Sequence, residues 1–405
     1  MFSVVVVGGG MIGSSAAKWV ADISDSSAGK VALVGEGEPK TKEESEIFGA
    51  WFDEGRITRI LDRKDSWRLL AEKSIRRYRE IEKESGVPFY HEVGFLSLID
   101  DKFKSKTDLE DAVNIIRESG YECDLVDSSC APEIFPDIKL PDNVFGYYQP
   151  NYSGYINPRE LVKAQQVLAE SKGCTIIDAA VKEVIKEEDK YRLSLSNGEI
   201  IRASKVLLAT GAYLNLSKHL QHFFPTEASL KLTTQTVAYL RISEEEANRL
   251  AYLPTLVTSY TSGALDGTYI LPPIKYPDGR FYLKLGHHDA FEGEVETVEE
   301  VLDWYRNGSG DNEAVTELAA FLQNFIKDLK VESVSGGCCV TAKTPTKDAP
   351  YIDEITDGLF VAAGGCGYAA KSCDEIGRIA AVLVVEGSWD SDIEQDRMKV
   401  IWKTT

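Results

Sequence analysis

The chain has 405 residues, a formal net charge of −20 at pH 7, and 43% hydrophobic and 27% charged residues. That length accommodates two domains with cores of their own, and the proportions are those of a soluble enzyme. So acidic a chain is not built to lie on nucleic acid or an anionic membrane; no apolar run reaches transmembrane length, and seven cysteines without framework spacing point to a reducing compartment.

The first element is legible at once. Val4, Val5, Val6 and Val7 run into Gly8-Gly9-Gly10-Met11-Ile12-Gly13, a helical pattern follows through Val20, and a second apolar strand covers 31–34. G-x-G-x-x-G between a strand and a helix predicts a dinucleotide-binding βαβ start. Gly8 makes the tight turn, Gly10 lets backbone approach a pyrophosphate, Gly13 lets helix and strand pack, and the anion sits on the helix N-terminus. A carboxylate closing the second strand should take the ribose hydroxyls; Glu36 is the choice, with Glu38 the other candidate. A strand this near Met1 leaves no room for a signal peptide, and Lys403-Thr404-Thr405 does not match the peroxisomal tripeptide, so a cytoplasmic location is expected.

A polar helix is predicted over 66–85, then a strand of a second domain over 93–98. The chain returns near 154–158, with Pro158 at a first helical position, through a helix over 159–172 and a strand over 174–177. A meander then ends in the apolar run 205–208 and Ala209-Thr210-Gly211-Ala212, a second contact for a dinucleotide. Residues 221–335 read as more of the second domain, with strands at 236–241 and 280–285 and a cavity-shaping loop at 255–267. One more strand and glycine turn over 358–365 and a helix over 373–386 return to the first domain. The expected fold is α/β: a discontinuous Rossmann-type cofactor domain (1–85, 153–220 and 336–395) with an α+β, mostly antiparallel substrate domain (86–152 and 221–335).

Four later segments carry a family resemblance: Arg56-Ile57-Thr58-Arg59; Leu283-Lys284-Leu285-Gly286-His287-His288; Gly337-Cys338-Cys339-Val340-Thr341-Ala342-Lys343-Thr344-Pro345; and Gly364-Gly365-Cys366-Gly367-Tyr368-Ala369-Ala370-Lys371. In order along the chain, they resemble the flavin amine oxidases of the monomeric sarcosine oxidase, D-amino acid oxidase-like family. That family includes N-methyltryptophan, pipecolate and fructosyl amino acid oxidases. The resemblance implies FAD, with Arg56 against the flavin and Arg59 and Lys371 on the substrate carboxylate. Guanidinium suits that task because it pairs with a carboxylate through two hydrogen bonds.

It further implies that Lys284 stands near flavin N5, where a fixed cation stabilises the superoxide formed from oxygen. His288 would line the cavity and accept the amine proton, His287 being a bystander. Cys339 rather than Cys338 falls in the C-x-x-x-x-T-P register of a cysteine bonded to the flavin 8α-methyl, although this chain has an extra residue between Pro345 and Asp353. Gly364 and Gly367 would approach the isoalloxazine; Tyr269 matches an active-site tyrosine and Gln235 a glutamine near the flavin. Trp51, Phe52 and Gly55 stand where the family has histidines and a threonine.

The implied activity is an oxidase of a secondary or N-methylated amino acid. Hydride passes from the carbon next to nitrogen to flavin N5, oxygen becomes hydrogen peroxide, and the imine hydrolyses. The implied partners are a small amino acid or amine and oxygen, with no metal, in a monomer. Two other classes stay open: a dehydrogenase of this fold serving a quinone or carrier protein, and a flavoprotein without catalysis. An NAD enzyme has only the first motif in its favour.

Overall fold

The protein, seen in a computed structural model, is described over residues 1–24, 29–41, 46–100, 102 and 106–404. Strands and helices are numbered along the chain. The amino-terminal sheet has eight strands. Its parallel core runs in the order β9 (Thr175–Ile177), β2 (Val31–Val34), β1 (Phe2–Val7), β12 (Ile200–Leu208) and β19 (Leu359–Ala363). β11 (Lys190–Leu195) pairs antiparallel onto β12, β10 (Val181–Glu187) onto β11, and β18 (Tyr351–Thr356) onto β19. The all-valine core of β1 is buried throughout, as a parallel strand covered on both faces requires. The turn after β1 needs its glycines: Gly8 has φ +113°, and a Cβ on Gly13 would lie 1.8 Å from the Gly8 carbonyl oxygen.

Four helices cover one side: α1 (Met11–Ile23), α2 (Asp65–Ser85), α5 (Pro158–Ser171) and α9 (Cys373–Glu386). Fully buried Asp374 ties all four together. Its carboxylate accepts from Lys18 Nζ at 2.5 Å, Trp19 Nε1 at 3.1 Å, Gln165 Nε2 at 3.0 Å and Arg77 Nε at 2.6 Å. Burial opposes its ionisation, but Lys18 and Arg77 hold the carboxyl well below the usual carboxylate range.

The second sheet also has eight strands, in the order β17 (Ser333–Lys343), β13 (Lys231–Ile242), β16 (Phe281–His287), β15 (Thr268–Lys275), β14 (Thr255–Ser259), β5 (Phe95–Asp100), β7 (Val144–Gln149) and β6 (Asp124–Val126). All neighbours are antiparallel except β14 and β5. One face is apolar: Ala238, Leu240, Leu283 and Leu285 pack on Leu318 and Leu322 of α8 (Asn312–Phe325). The edge strand β17 is covered by α7 (Val298–Asn307), where Trp304 Nε1 donates to the Cys339 carbonyl at 3.0 Å and the Val340 N–H donates to Tyr305 Oη at 3.3 Å. The remaining helices are α3 (Lys106–Glu118), α4 (Ala131–Ile134) and α6 (Glu244–Arg249). A small sheet, β3 (Arg56–Thr58), β8 (Gly154–Ile156) and β4 (Tyr90–His91), stands where the chain crosses between the large ones.

Two expectations need correction. Residues 255–259, read as part of a loop, form β14 in the middle of the second sheet, as their β-branched composition permits. The boundary drawn at 336 is displaced, because 336–343 complete β17 and pair residue by residue with β13. Conversely, Ala228 and Leu230 pack into the core of the first sheet.

Candidate active site

The end of the first sheet presents an open helix N-terminus. Gly10 caps α1 without a side-chain bond, the first turn carries no acid, and a Cβ on Gly10 would meet only the Trp51 side chain, at 3.5 Å. The helix N–H groups there are left for a ligand. Glu36, two residues beyond β2, is half-buried and makes no hydrogen bond or ion pair with the described residues. Burial, then Glu46, raises its carboxyl above the ordinary value. Glu38 is engaged elsewhere, with Arg159 at 2.6 Å, and Arg159 also holds Glu54 at 2.6 Å. At the end of β12, Thr210 Oγ1 beside Gly211 is buried and has no partner among the described residues. An open helix N-terminus, an orphaned hydroxyl and an uncommitted carboxylate are the groups a dinucleotide would satisfy, so these residues fit FAD.

Strand register builds the facing wall. Gln235 pairs with Cys339, Tyr239 with Lys284, and Tyr269 with Gly286, so these side chains share the face of the second sheet opposite its apolar core. Gly286 is required there, since a Cβ would lie 2.4 Å from the Tyr269 ring. Tyr305 Oη stands 3.9 Å from Cys339 Sγ. Cys338 is on the other face, with Sγ 3.7 Å from the Tyr305 carbonyl. The Gln235 amide is taken by Glu292, which also pairs with Lys343.

His287 uses both ring nitrogens within the fold: Nε2 accepts the Thr236 N–H at 3.2 Å, and Nδ1 lies 3.1 Å from the His288 carbonyl. His288 lies against Gly267, where a side chain would collide with the imidazole. Burial, with Arg63 and Arg59 adding to it against the opposing pull of Asp266 and Asp289, pushes His288 down to about 4. At neutral pH it is therefore a neutral hydrogen-bonding group and a weak proton acceptor, which reduces the base role expected of it.

The charged residues form two clusters at either end of β3. Buried Asp53 takes Lys284 Nζ and Arg56 on Oδ2, and Tyr276 Oη at 2.9 Å and Tyr239 Oη at 3.5 Å on Oδ1. Lys284 also donates to the Gly55 carbonyl at 3.0 Å, and Arg56 to the Ala50 carbonyl at 2.8 Å. Buried Asp62 takes Lys371 Nζ at 2.6 Å and Arg59 at 3.3 Å on Oδ2, and the Lys64 N–H at 3.2 Å on Oδ1. The Arg59 guanidinium lies over the Phe95 ring at 4.8 Å, and its Nε is buried with no partner among the described residues. Lys371 stands in a short 3₁₀ turn, Ala369–Ser372, that leads into α9. The Gly364–Gly367 turn before it meets Thr344, whose N–H donates to Cys366 Sγ at 3.3 Å.

Burial and the adjacent arginines push both lysines down to about 8, although their aspartates oppose the shift. Burial opposes ionisation of Asp62, yet Lys371 and Arg59 hold it down to about 2. Asp53, Asp62, Tyr239 and Tyr276 were missed by sequence reasoning. The available signal was the spacing of Asp53, Arg56, Arg59 and Asp62, one every third residue.

Comparison with known proteins agrees with the resemblance carried by the motifs. L-saccharopine oxidase of Schizosaccharomyces pombe is 23% identical over 416 residues, covering 95% of this chain and 90% of that protein. The structure of NikD, an unusual amino acid oxidase essential for nikkomycin biosynthesis, superposes with a TM-score of 0.76 at 19% identity, over 98% of this chain and 97% of that one. L-proline dehydrogenase from P. horikoshii superposes with a TM-score of 0.73 at 18% identity, over 98% and 96%. The profile of the DAO family, FAD dependent oxidoreductase, matches residues 3–383. With nearly all of both large sheets and of the helices on the first inside that match, the chain belongs to the DAO family of FAD-dependent oxidoreductases.

Proposed function

We propose that this enzyme oxidises a secondary or N-methylated amino acid and passes the electrons to oxygen, as a monomer in the cytoplasm. The observation that carries the reading is the pair of buried cations, Arg59 and Lys371, gathered on one carboxylate with Arg59 Nε unpartnered among the described residues. Buried positive charge with a donor to spare is the complement of an acidic substrate. FAD would be held by Gly8, Gly10, Gly13, Glu36, Gly211, Gly364 and Gly367, with Arg56 beside it and Cys339 as its covalent anchor. When bound, it supplies the two-electron acceptor for the amine and then the reductant for oxygen.

The chain's own residues supply orientation and charge. Arg59 and Lys371 fix the substrate carboxylate, which sets the position of the neighbouring carbon. His288, neutral at physiological pH, accepts a hydrogen bond from the substrate amine rather than storing its proton. The Tyr269 ring lies over Gly286 of the strand carrying Lys284. Lys284 Nζ holds positive charge where oxygen is reduced. From the name of the fission-yeast relative we carry over the class, an amino acid, and not the substrate.

A peroxide-coupled screen over N-methyl amino acids, pipecolate, proline and glycated amino acids tests this reading. Peroxide with at least one of these supports it, and turnover with none refutes it. A dehydrogenase is the second reading, and one observation favours it: the Lys284 ammonium is already held by Asp53, which reduces the field it offers to oxygen. Activity with an artificial quinone but not with oxygen would decide for it.

A further inference from the structure

Asp53, Arg56, Arg59 and Asp62 form a symmetric series, and each end builds the same unit. An aspartate pairs with the arginine three residues away and with one lysine from a distant element: Asp53 with Arg56 and Lys284, Asp62 with Arg59 and Lys371. In both units Oδ2 receives the two cations. In both, Oδ1 is fixed from the other side, by Tyr276 and Tyr239 in one case and the Lys64 N–H in the other. The lysines are 1% and 2% exposed. An ammonium buried to that degree without a counter-ion sheds its proton.

We propose that Asp53 and Asp62 are positioning residues: Asp62 keeps the Lys371–Arg59 pair charged and aimed for the substrate carboxylate, and Asp53 does the same for Lys284 at the oxygen-reducing side of the cleft. The inference rests on the proposed function. Each unit carries two cations and one anion, so one positive charge remains for a ligand. Lys371 is faced by Asp62, by Arg59 and by the Tyr368 ring at 5.6 Å. Lys284 is faced by Asp53, Arg56 and Cys339, and Tyr239, Tyr269 and Tyr276 surround its two charged partners. In each set the aspartate alone favours the charged lysine strongly, so its removal moves the lysine's titration to lower pH.

The test uses the flavin-loaded protein and its Asp62→Asn, Asp53→Asn and Asp62→Glu variants. Cyclopentanecarboxylate binding is read from flavin absorbance, and reoxidation of photoreduced enzyme by oxygen is followed in parallel, both from about pH 6 to about pH 10. Asp62→Asn is expected to lower the pH midpoint of acid binding by about one unit or more, and Asp53→Asn to lower that of reoxidation by a similar amount. Asp62→Glu, which retains the charge, should return acid binding toward the wild-type midpoint. Unshifted midpoints in both asparagine variants overturn the proposal. So does loss of both profiles together in each variant, which would mean that the aspartates only hold the fold. A wild-type protein that binds no acid at all overturns the functional reading itself, a result distinct from normal binding with an unshifted midpoint.

Discussion

Replacing Lys284 by methionine tests the oxygen side of the site most sharply. Methionine keeps much of the side chain's length and removes its charge. Asp53 is not left alone, because Arg56, Tyr276 and Tyr239 still hold it. A unit charge about 4 Å from a developing anion, at an effective dielectric constant of about 20, is worth about 4 kcal/mol. Asp53 cancels part of that, and its carboxylate is shared with Arg56, so a net loss of about 2–3 kcal/mol is expected, or roughly 30- to 150-fold in rate. The loss belongs to reoxidation of the flavin and not to its anaerobic reduction by substrate. Stopped-flow absorbance separates the two half-reactions. Equal slowing of both would mean that Lys284 only holds the site together, and unchanged reoxidation would mean that another cation serves oxygen.

Three further outcomes are expected. Acid-precipitated protein should be yellow and the Cys339→Ala pellet colourless, and flavin released from wild type into the supernatant would disprove the covalent anchor. Arg59→Ala should weaken binding of a carboxylate inhibitor by about 3–5 kcal/mol, as for a broken buried pair, and a spectral titration giving wild-type affinity would contradict the clamp. Asp374→Asn leaves Lys18 buried without a carboxylate and Arg77 with Glu375 alone, and should lower unfolding stability by about 3–5 kcal/mol. Because the folded carboxyl is held low, that contribution is present above the ordinary Asp range and is lost as pH falls from there through the depressed folded value; a variant with a wild-type denaturant midpoint at neutral pH would refute it.

The cofactor half was legible because its signals are local. Val4 to Gly13 encode a strand, a turn and a helix start within ten residues, and the structure uses Gly8 and Gly13 as that motif requires. Pro158 opens α5, and α9 runs from Cys373 to Glu386 as read from the sequence. The second sheet was harder, since its order is fixed by pairings between distant strands, such as β14 with β5, and nothing in Thr255–Ser259 names its neighbour. The same reason hid Asp53 and Asp62. Each looks like one half of a helical-spacing ion pair until Lys284 and Lys371 arrive from more than two hundred residues away. Alternation could not say which residues share a face with Lys284 across the sheet. Pairing of Tyr239 with Lys284 and of Gln235 with Cys339 supplies that.

The most direct measurement is anaerobic titration of the purified yellow protein with an amine found by the screen, followed by admission of air. The flavin absorbance should bleach with substrate and return with oxygen, one peroxide appearing for each amine consumed. The same substrate without its carboxylate should leave the flavin oxidised. A flavin that bleaches equally well with the decarboxylated amine, or that stays reduced in air until a quinone is added, would contradict an amino acid oxidase built on Arg59, Lys371 and Lys284.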